Sequence, residues 1–188
     1  MIKDEIKNFD VMNVCPVKIF FQDEARFGRM NDLKRCWAPP KIRPIIPKQQ
    51  IREYIYTFSA TCPSDGENYS IILPIVNTTA MEIFLGYFSD YYKDYKIIMV
   101  VDRASWHTSS KLKLPDNIRF IPLPAGSPEL NPQENIWAHL REKFFANKSW
   151  ESLDQIQDYL VEALEEMRKD KETIKSIANF SWLQNINY

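Results

Sequence analysis

Ser127-Pro128-Glu129-Leu130-Asn131-Pro132-Gln133-Glu134-Asn135-Ile136-Trp137 runs from a polar, proline-bearing loop straight into a helix. Asn131 fits the N-cap, Pro132 the favoured first helical position, and Glu134 falls in the first turn. That spacing predicts a carboxylate delivered at a fixed point by a helix start. It is equally the spacing of a capping box, with Asn in place of Ser or Thr. Trp137, one turn on, reads as a core anchor.

Two earlier stretches also end in a carboxylate. Val17-Lys18-Ile19-Phe20-Phe21 is β-branched and aromatic and leads to Asp23 and Glu24; Lys96-Ile97-Ile98-Met99-Val100-Val101 leads to Asp102. Apolar runs of this length suit strands, the second one covered on both faces. If the two strands lie parallel and adjacent, their C-terminal ends share the edge of the sheet where α/β folds place ligands. Asp23 and Asp102 would then stand side by side. Close carboxylates repel each other unless a cation is bound, and a hard ion such as Mg²⁺ or Mn²⁺ prefers oxygen ligands. With Glu134 as a third ligand, two metal ions could be held. Two metals stabilise the attacking and leaving oxygens of phosphoryl transfer without a nucleophilic side chain. The plainer alternatives are strand-end turn residues for Asp23 and Asp102, a helix cap for Glu134, a salt-bridged carboxylate for Glu24, and packed or surface histidines for His107 and His139.

Between these stretches the pattern is mixed. Gly28 and Asn31-Asp32 predict a hairpin turn within Arg26–Trp37, and Pro39, Pro40, Pro44 and Pro47 predict a loop or sheet edge. Ile51–Cys62 and Tyr69–Val76 read as strands joined by a turn at Pro63-Ser64-Asp65-Gly66. A helix is expected over Thr78–Tyr92, capped by Thr78 or Thr79, a short one over Ser105–Leu112, and a strand at Ile118–Ile121. Helices follow over Pro132–Ala146, Ser152–Arg168 and part of Lys171–Tyr188, where Phe180 and Trp182 are available for docking. The order describes a mixed α/β sheet, antiparallel hairpins first, with helices on its faces.

The bulk properties suit an ordinary globular chain. Its 188 residues are 45% hydrophobic and 26% charged, enough for one domain with a proper core. We divide it into a lead-in at 1–16 and a single domain at 17–188. No apolar run approaches ~20 residues, and the N-terminus has no signal-peptide pattern. The three cysteines suggest neither a disulfide framework nor a zinc site, which fits a reducing cytosol. Net charge is −1, but it is segregated. Arg26, Arg29, Lys34, Arg35, Lys41, Arg43, Lys48 and Arg52 face only Asp32 within 26–52, whereas 151–172 holds eight acids and three bases. The basic segment is a candidate phosphate-binding surface, or simply a solvated loop.

Taken together, Phe-Gln-Asp-Glu-Ala-Arg-Phe-Gly (21–28), Val-Val-Asp-Arg-Ala-Ser-Trp-His (100–107) and the 127–137 stretch resemble the mariner-type superfamily of DDE transposases, more closely its bacterial insertion-sequence branch. The resemblance covers roughly 17–165. It implies a ribonuclease-H-like five-stranded sheet with helices on both faces, and a triad of Asp23, Asp102 and Glu134 binding two Mg²⁺ or Mn²⁺. It also implies nicking at transposon ends and attack of the freed 3′-hydroxyl on target DNA, usually at TA, by a dimer in the bacterial cytoplasm at the nucleoid. Arg26, Arg29, Lys34, Arg35, Lys41, Arg43, Lys48 and His107 are the candidate DNA contacts.

Two departures stand out. Arg103 occupies the place after Asp102 where the family usually has Asn. The helix-turn-helix region usual before the first catalytic strand has no room in this chain, so end recognition is expected either to come from a separate helix-turn-helix polypeptide or to be lost. A decayed, non-catalytic DNA-binding or assembly module and a ribonuclease-H-like nuclease are the alternatives.

Overall fold

The structure, a computed structural model, describes residues 15–31 and 33–183. The expectation for the lead-in at 1–14 lies outside them. Five strands form one sheet: β1 (Val17–Met30), β2 (Gln50–Cys62), β3 (Glu67–Leu73), β4 (Lys96–Val101) and β5 (Ile118–Pro122), in the order β3-β2-β1-β4-β5. β1, β2 and β3 pair antiparallel; β1, β4 and β5 pair parallel. Helix α1 (Thr78–Tyr91) joins β3 to β4; α2 (Pro132–Leu140), α3 (Leu153–Lys169) and α4 (Lys171–Ala178) follow the sheet in sequence.

Side chains alternate across a strand, so β1 sorts its residues between two layers. Phe20 faces α1 and packs with Phe84, Leu85 and Phe88. Ala25 and Phe27 face the other way, against Trp137 and Leu140 of α2 and Ile156 and Leu160 of α3. Ile19 and Phe21 share that second face with Ile98 and Val100 and are covered by Leu123 and Leu183, with Phe180 and Trp182 packed alongside. The docking expected of Phe180 and Trp182 is therefore observed.

Several local expectations change. β1 does not stop at Asp23, and no turn occurs near Gly28. The strand runs to Met30 because its ladder with β2 continues, from Asp23↔Ser59 to Gly28↔Tyr54, with a shift in register before Met30↔Gln50. The cap of α1 is Asn77, whose Oδ1 accepts from the Ala80 amide at 2.8 Å, not Thr78 or Thr79. Ser105–Leu112 forms turns and no helix. Helix α2 ends at Leu140 and continues as one π-helical turn, Arg141–Phe145.

Gly28 is required by close approach. A Cβ there would lie 2.2 Å from the Glu53 carbonyl oxygen and 2.3 Å from Cδ1 of Tyr54, whose ring lies across the strand. Gly28→Ala should lower unfolding free energy by about 1–3 kcal/mol, the range for overpacking. Denaturant melts of the two proteins check this; an unchanged midpoint would contradict the packing described.

Candidate active site

Parallel pairing of β1 with β4 is recorded through Phe21↔Val100, and the two acids follow two residues later on each strand. Asp23 and Asp102 therefore emerge at the same end of adjacent parallel strands. The loop after β5 and the start of α2 close the third side. Asp23, Asp102 and Glu134 line one cleft of about 420 Å³, together with Arg103, Asn131 and the 123–128 loop.

Helix α2 is fixed to β1 by Asn131. Its Oδ1 accepts from the Gln133 amide at 3.1 Å, as an N-cap does. Its Nδ2 donates to the Gln22 carbonyl at 3.2 Å, next to Asp23. Glu134 does not close a capping box. The Asn131 amide already donates to the Pro128 carbonyl at 2.9 Å, and the Glu134 side chain is exposed on the cleft. Trp137, fully buried, donates from Nε1 to Asp23 Oδ2 at 3.2 Å. The cap and first two turns of α2 thus supply a tether and a hydrogen-bond donor to β1 and a carboxylate to the cleft.

Asp102 is held from its other side. Its Oδ1 accepts from the Ala104 amide at 2.8 Å and lies 2.7 Å from Nδ1 of His107. The second ring nitrogen of His107 meets Glu24 Oε1 at 3.1 Å, an oxygen that also accepts from Gln22 Nε2 and Trp106 Nε1. His107 is only 6% exposed. With both nitrogens committed to carboxylates, it does not fit the DNA contact expected of it. It is a buried bridge between Asp102 and Glu24. Glu24, on the face of β1 opposite Asp23, is the salt-bridged carboxylate of the plainer reading.

The charges are strongly coupled. Burial pushes the Asp23 carboxyl up, and the negative charges of Glu134, Glu24 and Asp102 push it further, to about 7. The hydrogen bond from His107 draws Asp102 below the usual carboxylate range. Burial opposes protonation of His107, but its bonds to Asp102 and Glu24 outweigh this and raise it to about 9. His107 is therefore an imidazolium at neutral pH and donates from both nitrogens.

An all-oxygen donor set whose members repel one another fits a hard divalent cation. Among the described residues, no three His, Cys, Asp or Glu side chains already converge closely enough to hold one. The carboxylates line the cleft without meeting at a point, and Asp102 Oδ1 is occupied by its two donors.

The candidate DNA contacts differ among themselves. Arg29 is engaged, by Glu53 at 2.9 Å and by the Trp150 carbonyl at 3.2 Å. Arg26 is exposed and stacks on Tyr54, its Cζ 4.5 Å from the ring centroid. Lys34, Arg35, Lys41, Arg43 and Lys48 are exposed along the segment between β1 and β2. The Lys34 amide is anchored by Asn147 Oδ1 at 2.8 Å. Sequence reading had no signal for the tether from Asn131 to Gln22 or for the pairing of His107 with Glu24. The Trp137–Asp23 bond had one, since the tryptophan stands one turn after Glu134.

Sheet order and helix placement define a ribonuclease-H-like fold. Solved structures agree. The chain is similar to Mos1 transposase in a paired-end complex with the left transposon end (TM-score 0.59, 16% identity, 94% of this chain and 60% of that one). A pre-cleavage Mos1 transpososome gives TM-score 0.61 at 15% identity over 95% of this chain and 60% of that one. The mariner Mos1 paired-end complex with Mn gives 0.58 at 16% identity over 87% and 56%. The chain spans about 60% of the length of these Mos1 chains. A sequence model described as DDE superfamily endonuclease matches residues 18–157, and the chain belongs to that family. It is also 34% identical over 130 residues, 69% of this chain and 96% of the other, to the uncharacterized protein y4pE/y4sA of Sinorhizobium fredii (strain NBRC 101917 / NGR234). No helix among the described residues is long and apolar enough to cross a membrane.

Two outcomes test this geometry. Asn131→Ala removes cap and tether and should cost about 1–2 kcal/mol in unfolding free energy. Asn131→Asp keeps the cap oxygen but removes the donor to Gln22, and an unfolding curve identical to wild type would contradict the tether. The raised His107 supplies stability that is fully present below 6.5 and lost as pH rises through about 9. Metal-free stability should fall across that window, and the fall should flatten in His107→Gln; parallel slopes in the two proteins would contradict the bridge.

Proposed function

We propose that this chain is the catalytic domain of a DDE transposase, cutting DNA with divalent metal and joining the resulting 3′-hydroxyl to a second duplex. The observation that carries the reading is the placing of Asp23, Asp102 and Glu134, from three separate elements, around one cleft. The raised Asp23 supports it too, since three crowded carboxylates are the charge a cation would relieve. Asp23, Asp102 and Glu134 would hold the metal. When bound, Mg²⁺ or Mn²⁺, two per site, supplies Lewis-acid stabilisation of the attacking and leaving oxygens.

The protein's own residues set the rest. Asn131 fixes the start of α2 against β1, Trp137 orients Asp23, and the His107–Glu24 pair holds Asp102. In the first reaction water loses a proton and adds to the scissile phosphorus as the P–O3′ bond breaks; the departing 3′ oxygen takes up a proton to become a 3′-hydroxyl, and the other end keeps a 5′-phosphate. In the second, that hydroxyl loses its proton and attacks a target phosphorus, whose own 3′ oxygen leaves. Double-stranded DNA, as transposon ends and a TA-containing target, is the substrate in this reading. Arg26, Lys34, Arg35, Lys41, Arg43 and Lys48 are its phosphate contacts. A homodimer completes the assembly, in a bacterial cytoplasm. Exposed Trp37, Ile42 and Ile45 support assembly with a second copy.

One observation favours a second reading, the non-catalytic module. Arg103 lines the cleft, its Nε donating to the Leu123 carbonyl at 3.0 Å, and a fixed guanidinium there could offset carboxylate charge in place of a metal. Plasmid nicking in Mn²⁺ separates the two. The transposase reading predicts nicking that Asp102→Asn lowers by at least about 100-fold, since even outer-shell changes cost about 10–100-fold. Nicking equal in both proteins, or none by wild type, would contradict it. Because Asp23 must ionise to bind metal, Mn²⁺ affinity measured by calorimetry should drop about tenfold for each pH unit below 7. A flat profile would remove Asp23 from the ligand set.

A further inference from the structure

β1 pairs with β4 only as far as Phe21, while β2 accompanies it to Met30, so the second half of β1 has one open edge. Asp23 stands at the start of that edge. Farther along lies a second cavity of about 290 Å³, walled in part by Arg26, Phe27, Tyr54, Arg141 and Trp150. Two guanidinium groups are stacked on rings here. Arg26 Cζ is 4.5 Å from the Tyr54 centroid, and Arg141 Cζ is 5.6 Å from that of Phe27. Neither pairs with a carboxylate among the described residues, whereas neighbouring Arg29 is matched by Glu53. The arrangement is built in: the missing side chain at Gly28 lets the Tyr54 ring lie across β1, and Arg26 rests on that ring.

The position of these arginines matters as much as their charge. Arg26 follows Asp23 by three residues, roughly 10 Å along a strand. Arg141 follows Glu134 by seven, also roughly 10 Å along a helix. Arg26 lies on the face of β1 opposite Asp23 and Phe27, and it shares the cavity with Arg141 at the strand's edge, so both elements that supply carboxylates to the cleft also supply an arginine to this cavity. Trp137 lies between, donating to Asp23 and packing on Phe27 with ring centroids 6.1 Å apart. Pre-stacked, planar, unpaired guanidinium groups suit phosphate oxygens, while the buried rings of Phe27 and Trp137 serve as their support.

We propose that this open edge of β1 is a second nucleic-acid subsite, in which Arg26 and Arg141 grip backbone phosphates about three nucleotides from the bond at the carboxylates, taking 3.4 Å per nucleotide. The direction of the strand rests on the function proposed above; the grip itself does not. Arg141, held on the buried ring of Phe27, is a new member of the binding surface, and Arg26 is separated from the other basic residues of its segment.

Anisotropy titration of a labelled single-stranded oligonucleotide, without metal and over a range of NaCl concentrations, tests the grip. In Arg26→Met/Arg141→Met the slope of log affinity on log salt should fall by about 1.4, and affinity by at least about tenfold, whereas Lys175→Met on α4 should match wild type. Should the double variant melt at a lower temperature, Arg26→Gln and Arg141→Gln singly replace it, each expected to lower the slope by about 0.7. A single methylphosphonate about three nucleotides from the cleaved bond should weaken binding to wild type but not to the double variant. Unchanged slopes in the arginine variants overturn the subsite, even if wild type nicks DNA. A reduced slope with no Mn²⁺-dependent nicking by wild type overturns the function and leaves the subsite. No binding by wild type overturns both.

Discussion

β1 hydrogen-bonds to β4 as far as Phe21 and Val100, and to β2 well beyond that point. The divergence is the constraint on which the site depends. It brings Asp23 and Asp102 out together where the parallel half of the sheet ends, and it leaves β1 with an exposed edge from there on. A strand centrally placed on both faces cannot easily shift register, because a one-residue slip would exchange Phe20 and Phe21 between two cores. The positions of the acids are therefore set by packing well away from them.

Around that fixed strand, polar contacts of modest individual strength do the orienting. Asn131 ties α2 to the backbone beside Asp23, and Trp137 reaches the carboxylate itself. His107 binds Asp102 and Glu24 from the opposite layer. The result is a cleft whose three acids are positioned but mutually repelled. Asp23 sits near 7, the strained member of the set. The same crowding that makes the apo protein accept a proton there is what would make it accept a cation.

Much of this was legible in the sequence, for identifiable reasons. Buried parallel strands read as continuous apolar runs, so Val17–Phe21 and Lys96–Val101 announced themselves and the acids after them. The N-cap and first-turn proline marked the start of α2. The continuation of β1 was hidden by Gln22, Asp23 and Glu24, which interrupt the apolar run; the alternation of buried Ala25 and Phe27 with exposed Arg26 was the surviving signal. Glu134 read as a possible cap because spacing cannot show that the Asn131 amide is already taken by Pro128. The partners of Asn131 and His107 lie far away in sequence, one of them a backbone carbonyl, and no local pattern encodes such contacts. His107, a candidate DNA contact whose plainer reading was a packed or surface histidine, is buried between Asp102 and Glu24.

The central claim is that Asp23, Asp102 and Glu134 together bind divalent metal. The most direct measurement is an anomalous difference map from crystals of the protein soaked in Mn²⁺. The account predicts Mn²⁺ peaks within coordinating distance of all three carboxylates, with Glu134 turned toward Asp23 and Asp102. Peaks elsewhere, or none at a concentration that saturates calorimetric binding, would contradict it.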